Sequence, residues 1–440
     1  MANWKIEYII YDTLLYLLAL FIVPFTIIRN LCLRRPILPY FFNLSKKEAN
    51  ALSDKPVIWV QAVSMGEAIV AGSIIRELIK ELPGYQVVLT THTPTGYKIA
   101  HQKLPEVALI TYFPLDFPFF IKRFVQRIQP KVFIMTESEL WPNAVRYSKE
   151  FGAKVALVNG RISDRSFHNY LRFSKFVKAV FHQIDLFAMQ SLEDADRVGK
   201  IGASAERVFV TGNAKFDQNY PSFKPEQLSA FREQYHISTE KLIFTAASTH
   251  RGEEEFVIKA FLELVNQKPF YLILAPRNPE RAEEIGQLLE QSNLSYNRRS
   301  EEKVNPDSIV LLLDTFGELG LVYALADVVL VGGSLIKIPG IGGHNVLEAA
   351  VQEKPVLYGP YMNNFRESKR LLEEVDAGFT VYDSKDLVES VQNLLADREL
   401  YQRRAFNAKK VVLSNRGAAQ NTANQIIKII RQAELSKTKE

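Results

Sequence analysis

The chain of 440 residues has a single cysteine, Cys32. A lone thiol excludes an intrachain disulfide and a zinc site built on thiolates, and it fits a reducing compartment. The seven histidines show no H-E-x-x-H or other ligand spacing. An excess of one charge sign is also missing. Lys and Arg number 54 against 49 Asp and Glu, which leaves +5. So mild a surplus fits an anionic partner, whether a membrane surface, a phosphorylated lipid or a nucleotide, without selecting one. No low-complexity tract and no exact internal repeat is present. Charged residues at 23% and apolar residues at 47% instead describe a folded chain with enough core for two ordinary domains.

One long apolar run stands out, "YIIYDTLLYLLALFIVPFTII" (8–28), in which Asp12 is the only charge. Its length matches the roughly 20 residues that cross a bilayer core. Arg29, Arg34 and Arg35 follow it, against Lys5 before it, a bias that places the rest of the chain in the cytoplasm. The run is expected to be an N-terminal membrane helix within an anchor segment, residues 1–40. Asp12 and Pro24 keep a buried or interfacial helix open as the alternative.

From residue 55, short apolar runs alternate with helical patterns. "VIWVQAV" (57–63), "QVVLTT" (86–91), "KVFIMT" (131–136), "AKVALVN" (153–159), "DLFAMQ" (185–190) and "VFVTGN" (208–213) form a first series. A polar, proline-bearing stretch (216–227) reads as a hinge. "LIFTAAS" (242–248), "FYLILAP" (270–276), "IVLLLD" (309–314), "DVVLVGG" (327–333) and "KPVLYGP" (354–360) form a second. Continuous apolar strands between helices imply parallel sheets covered on both faces. The expected class is α/β, with two Rossmann-like domains facing a cleft, residues 41–222 and 223–440.

In such folds ligands bind beyond the carboxyl ends of the strands, so the loops there hold the candidates. "SMGE" (64–67), "TESE" (136–139), "TFGE" (315–318) and "NVLE" (345–348) all have a polar residue three positions before Glu. That is the capping-box spacing, with the Glu carboxylate reaching back to the backbone N–H of the cap residue. A carboxylate in the first turn is also held ionised by the helix dipole, as a general base requires. Local spacing does not separate the two. Arg277 in "PRNPER" (276–281) can clamp a phosphate or sit in a solvated turn. The glycines of 332–345 suit backbone approach to an anion, or an ordinary turn. "DAD" (194–196) imitates a metal-binding D-x-D but reads as helix surface. The stretch 165–183 interleaves basic and aromatic residues, and fits either an anionic lipid headgroup or a helix with a core-facing aromatic stripe.

"SMGE", "TESELWPN", "GRISDRS", "GNAKFD", "PRNPER", "DTFGELG" and "GGHNVLEAA", in this order behind an apolar N-terminus, resemble the transferases of 3-deoxy-D-manno-oct-2-ulosonic acid (Kdo). The resemblance covers nearly the whole chain. Asn278 and Ala349 depart from the family's usual His and Pro, and "LIKIPGIGGHN" is longer than usual. The resemblance implies a GT-B glycosyltransferase that inverts the anomeric centre. It implies CMP-Kdo as donor and a lipid A precursor, lipid IVA, as acceptor, at the cytoplasmic side of the cell inner membrane. It implies Glu67 as catalytic base, with Glu137 and Lys215 in transition-state stabilisation. Pro276 and Arg277, Phe316, Gly317 and Glu318, and Asn345, Val346, Leu347 and Glu348 match CMP-binding segments. No metal, other cofactor or nucleic acid is expected. Other membrane-associated GT-B nucleotide-sugar enzymes, such as a UDP-sugar transferase or an epimerase, are the alternative, and a non-catalytic binding protein is a third.

Overall fold

The computed structural model describes residues 5–32, 48 and 52–437. They divide into two compact units, Met1–Gln218 with Asn415–Glu440, and Asn219–Ser414. Each contains a seven-stranded sheet. In the first, β1 (Val57–Gln61), β2 (Gln86–Thr91), β3 (Leu109–Tyr112), β4 (Pro130–Thr136), β5 (Lys154–Gly160), β6 (Leu186–Met189) and β7 (Val208–Val210) stand in the order β3-β2-β1-β4-β5-β6-β7. Every pairing is parallel. In the second, β8 (Leu242–Thr249), β9 (Phe270–Pro276), β10 (Tyr296–Arg298), β11 (Val310–Leu312), β12 (Val328–Val331), β13 (Val356–Tyr358) and β14 (Gly378–Thr380) stand in the order β10-β11-β9-β8-β12-β13-β14, again all parallel.

The alternation of side chains along β1 shows why both faces are covered. Ile58 and Val60 enter one core, Val57 and Trp59 the other, and every residue of the strand is buried. The Ile58 core is closed by helix Ala418–Lys437, through Ala418, Ala419, Ala423, Ile426, Ile427 and Ile430. This corrects the division that gave all of 223–440 to one domain. The apolar face of the last helix has its partners in the first sheet, so the chain returns to the first unit at Asn415.

The apolar N-terminal run is a helix, Lys5–Cys32. Its first turns lie along the first unit. Tyr8 is buried, donates to the Pro142 carbonyl at 3.2 Å and accepts from Gln183 Nε2 at 2.7 Å. Tyr11 donates to Asp116 Oδ2 at 3.0 Å and stacks on Phe176 at 5.2 Å. Asp12 accepts from Asn143 Nδ2 at 2.8 Å and pairs with Arg146 at 3.1 Å. The one charge of the run is therefore spent on the domain. Among the described residues no helix is long and apolar enough to cross a membrane, and the expectation of a membrane helix is corrected accordingly. Of the three arginines on which the orientation rested, Arg34 and Arg35 lie outside the described residues.

Candidate functional site

In the first sheet β1 and β4 are neighbours, yet the chain leaves β1 towards β2 and leaves β4 towards β5. Their carboxyl ends form the topological switch point, where open α/β sheets bind ligands. Glu67 follows β1 and Glu137 follows β4.

Ser64 caps helix Met65–Glu81, and its Oγ accepts from Glu67 N at 3.4 Å. The reciprocal contact differs from the expected one. Glu67 Oε1 accepts from Ser64 Oγ at 2.9 Å, and Oε2 accepts from the Val63 N–H at 2.9 Å, with Thr136 Oγ1 3.4 Å away. Both carboxylate oxygens are thus fixed at the strand end. Burial pushes the Glu67 carboxyl up to about 7, helped by the negative charge of Glu137 and opposed by the bonds from Val63 and Ser64. Burial, then Glu137, also raises Glu139.

"TESE" does not form the cap that its spacing allows. Thr136 Oγ1 donates to the Gln61 carbonyl at 2.9 Å, and the following helix begins only at Pro142. Glu137 instead adopts a left-handed backbone, φ 59°, uncommon for a residue with a side chain, while its N–H continues the ladder to Val158 O at 2.9 Å. Its carboxylate pairs with Lys215 Nζ at 3.2 Å, both side chains being almost buried. Lys215 is presented by a short 3-10 turn, Ala214–Asp217, tied to the end of β5 by the Ala214 N–H bond to Asn159 Oδ1 at 2.9 Å. The three residues assigned by resemblance to catalysis are thus gathered on one sheet edge. Asp194 of "DAD", by contrast, is buried and accepts from the Ile162 N–H at 2.8 Å, so it is a structural tie rather than surface. Among the described residues no cluster of three or more His, Cys, Asp or Glu could hold a metal ion.

In the second unit the switch point falls between β8 and β12. Arg277 follows β9, Phe316 to Glu318 follow β11, and Asn345 to Glu348 follow β12, all on the carboxyl edge of a parallel sheet. Pro276 ends β9, and the Arg277 N–H bonds Thr249 O at 2.9 Å. Asn345 Oδ1 accepts from the Leu347 N–H at 3.1 Å. Val346 and Leu347 are buried in support of that turn. Glu318 is ion-paired with Arg299 at 2.8 Å and accepts from Thr315. Phe316, beside Gly317 at φ 89°, is 79% exposed and free to meet a flat ligand.

Sequence reasoning missed three residues here. Glu253, fully buried, accepts from the backbone N–H groups of His250 (2.9 Å), Gly333 (2.7 Å), Ser334 (2.9 Å) and Leu335 (2.8 Å). It binds the glycine-rich loop after β12 to the loop after β8. His250 and His344 meet Nε2 to Nε2 at 2.8 Å, with rings 9° from parallel. Burial, then Arg277 and His250, pushes His344 down to about 3. The available signal was the run "EEE" (253–255) directly after a strand and glycine, too many acids for solvent-facing capping alone.

Residues 41–218 match the family model described as 3-deoxy-D-manno-octulosonic-acid transferase (kdotransferase). The chain is 35% identical over 366 residues to the 3-deoxy-D-manno-octulosonic acid transferase of Haemophilus influenzae, covering 82% of this chain and 84% of that protein. With the namesake from Bordetella pertussis it shares 30% over 382 residues, 84% of this chain and 86% of that one. A glycosyltransferase structure from Rickettsia africae superposes with a TM-score of 0.59 at 14% identity, over 87% of this chain and 99% of that one. A UDP-GlcNAc 2-epimerase structure from Neisseria meningitidis does so with 0.57 at 15%, over 86% and 100%. These two show a shared fold only, whereas the sequence relatives decide the family. The chain belongs to the Kdo transferases, glycosyltransferases that add Kdo.

Proposed function

We propose that the chain transfers Kdo from CMP-Kdo to a hydroxyl of a lipid A precursor, with Glu67 as general base. The observation that carries this reading is the Glu67 carboxyl itself. It is anchored through both oxygens at the switch point and raised to about 7, the range in which a base is ionised at working pH yet still takes a proton well. Glu67 removes the proton of the acceptor hydroxyl as that oxygen attacks the anomeric carbon of Kdo. The bond to the CMP phosphate breaks and CMP departs as an anion that needs no strong general acid. One displacement inverts the anomeric centre.

Glu137 has two effects in this scheme. Its charge raises the basicity of Glu67, and its pairing orients the Lys215 ammonium, which offsets negative charge in the transition state. Arg277, the Phe316–Glu318 loop and the Asn345–Glu348 turn are assigned to CMP. Donor charge is met by Arg277 and backbone N–H groups, so transfer from purified CMP-Kdo is expected to persist in EDTA. Loss restored by magnesium or manganese contradicts this.

The proposed location is the cytoplasmic surface of the inner membrane, with attachment in the plane of the interface. Support comes from helix Lys5–Cys32, which shows Ile6, Ile9, Ile10, Leu14, Leu17, Leu18 and Leu20 to solvent, each more than half exposed.

The deciding experiment incubates wild type and Glu67→Gln with CMP-Kdo and a tetraacylated lipid A precursor, with products read by mass spectrometry and UDP- and CDP-sugars as controls. Gln keeps a side-chain oxygen for the cap but cannot serve as base. Transfer by wild type and none by the variant is expected, and turnover by Glu67→Gln refutes the assignment.

A further inference from the structure

His92 follows β2 directly, and β2 pairs with β1, the strand that leads into the helix of the candidate base. Its backbone N–H donates to Val63 O at 3.2 Å, and the Val63 N–H donates to Glu67 Oε2 at 2.9 Å. One residue therefore links the two. The imidazole is clamped by rings, with Trp141 at 4.6 Å and 14° and Phe113 at 4.9 Å and 29°.

A chain of hydrogen bonds sets its tautomer. An indole N–H can only donate, and Trp59 Nε1 gives its hydrogen to Thr90 Oγ1 at 2.9 Å. Thr90 gives its own to Gln61 Oε1 at 2.5 Å. The amide nitrogen of Gln61 then faces His92 Nδ1 at 2.9 Å and donates to it. With Nδ1 as acceptor, the proton of the neutral ring is on Nε2. Burial pushes the ring down to about 4, so it stays neutral at working pH. Among the described residues Nε2 has no partner, and it is not one of the buried polar atoms left unsatisfied, so it is open to a ligand.

We propose that His92 is a binding residue for the acceptor, its Nε2–H donating one hydrogen bond to a sugar oxygen beside the hydroxyl that Glu67 deprotonates. The proposal rests on the reading of Glu67 as the base, because that reading places the acceptor oxygen at this strand end. A neutral donor suits the position. A cation there would lower the basicity of Glu67, whereas a fixed N–H orients the sugar without that penalty.

His92→Phe keeps the stack on Trp141 and removes the donor, and His92→Gln returns an N–H near the place of Nε2. The full-length protein is assayed with the tetraacylated precursor in detergent. His92→Phe is expected to raise the acceptor KM about 3- to 10-fold, the size of one neutral hydrogen bond. Equilibrium binding of the precursor without donor should weaken equally, since a ground-state contact is lost. The KM for CMP-Kdo, kcat and its pH midpoint should stay within about twofold, and His92→Gln should recover most of the loss. If His92→Phe does not fold, His92→Leu replaces it with the same expectation. Histidine 15N NMR of wild type should show Nδ1 unprotonated. Unchanged acceptor KM and affinity in either donor-less variant, or a proton found on Nδ1, overturns the proposal. The binding and NMR measurements need no turnover, so they are read independently of whether Glu67→Gln stays active.

Discussion

Glu67 is a helix cap and a candidate base at once, and the two roles ask for opposite things. As a cap it is better fully ionised at every pH; as a base it is better near 7, where burial and Glu137 bring it. Its folded pKa lies above the value of about 4.5 expected unfolded, so the folded state binds the proton more tightly. Stability is then fully present below 4.5 and is lost as pH rises towards 7. Glu67→Gln removes that loss. The variant should equal wild type in thermal stability near pH 4.5 and exceed it at pH 8, by up to ~3 kcal/mol if the whole shift is felt. Wild-type kcat/KM should rise with slope one up to about pH 7 and then level. Equal stability of the two proteins at pH 8 would mean that the carboxylate carries no such strain. The cap was legible from the spacing of Ser64 and Glu67. The raised pKa was not, because it comes from burial and from the charge of Glu137, which follows β4, and only the sheet order brings that strand beside β1.

Interior strands were legible, and of the four edge strands only β7, inside "VFVTGN", was. "QVVLTT" and "FYLILAP" coincide with β2 and β9 because both faces of those strands are buried and the run is continuously apolar. β3, β10 and β14 went unread. They are three or four residues long, sit at or next to the sheet edge, and carry half-exposed positions such as Leu109 and Arg298 that break the pattern. The resemblance to a family assigned the loop after β12 to a ligand, but gave no sign of what holds the loop. Four backbone N–H groups converge on Glu253, as a buried carboxylate needs. Glu253→Gln turns one acceptor oxygen into a donor facing N–H groups. The loss of two charge-assisted bonds predicts destabilisation on the order of 3 kcal/mol, read by urea unfolding. CMP affinity by calorimetry should fall as well, because Gly333 to Leu335 lose their anchor. A variant with wild-type stability and affinity would remove Glu253 from the architecture of that loop.

Across the whole molecule, the apolar surface is unevenly placed. Helix Lys5–Cys32 spends Tyr8, Tyr11 and Asp12 on the first unit and leaves a row of large aliphatic side chains outside. Tyr16 of the same helix lies 5.3 Å from Phe117, whose neighbour Phe119 is 60% exposed, and Phe173, preceding the helix that stacks on Tyr11, is 63% exposed. An isolated exposed leucine needs no explanation, but a patch on this scale marks an interaction surface. A lipid surface is the proposed occupant, since the proposed acceptor is itself a lipid and a net charge of +5 favours an anionic leaflet. Each aliphatic side chain buried in the interface is worth ~1.5–3 kcal/mol, so two of them decide the partition. The double variant Leu14→Glu and Leu17→Glu leaves the polar contacts of the helix intact and places two charges in the patch. Wild type should float with vesicles containing phosphatidylglycerol even in high salt, because the apolar part of the attraction is not screened. The variant should remain at the bottom of the gradient in high salt, and its acceptor KM should rise for precursor in vesicles but not for precursor in detergent. Flotation of the variant to the wild-type extent would assign the attachment to another part of the chain.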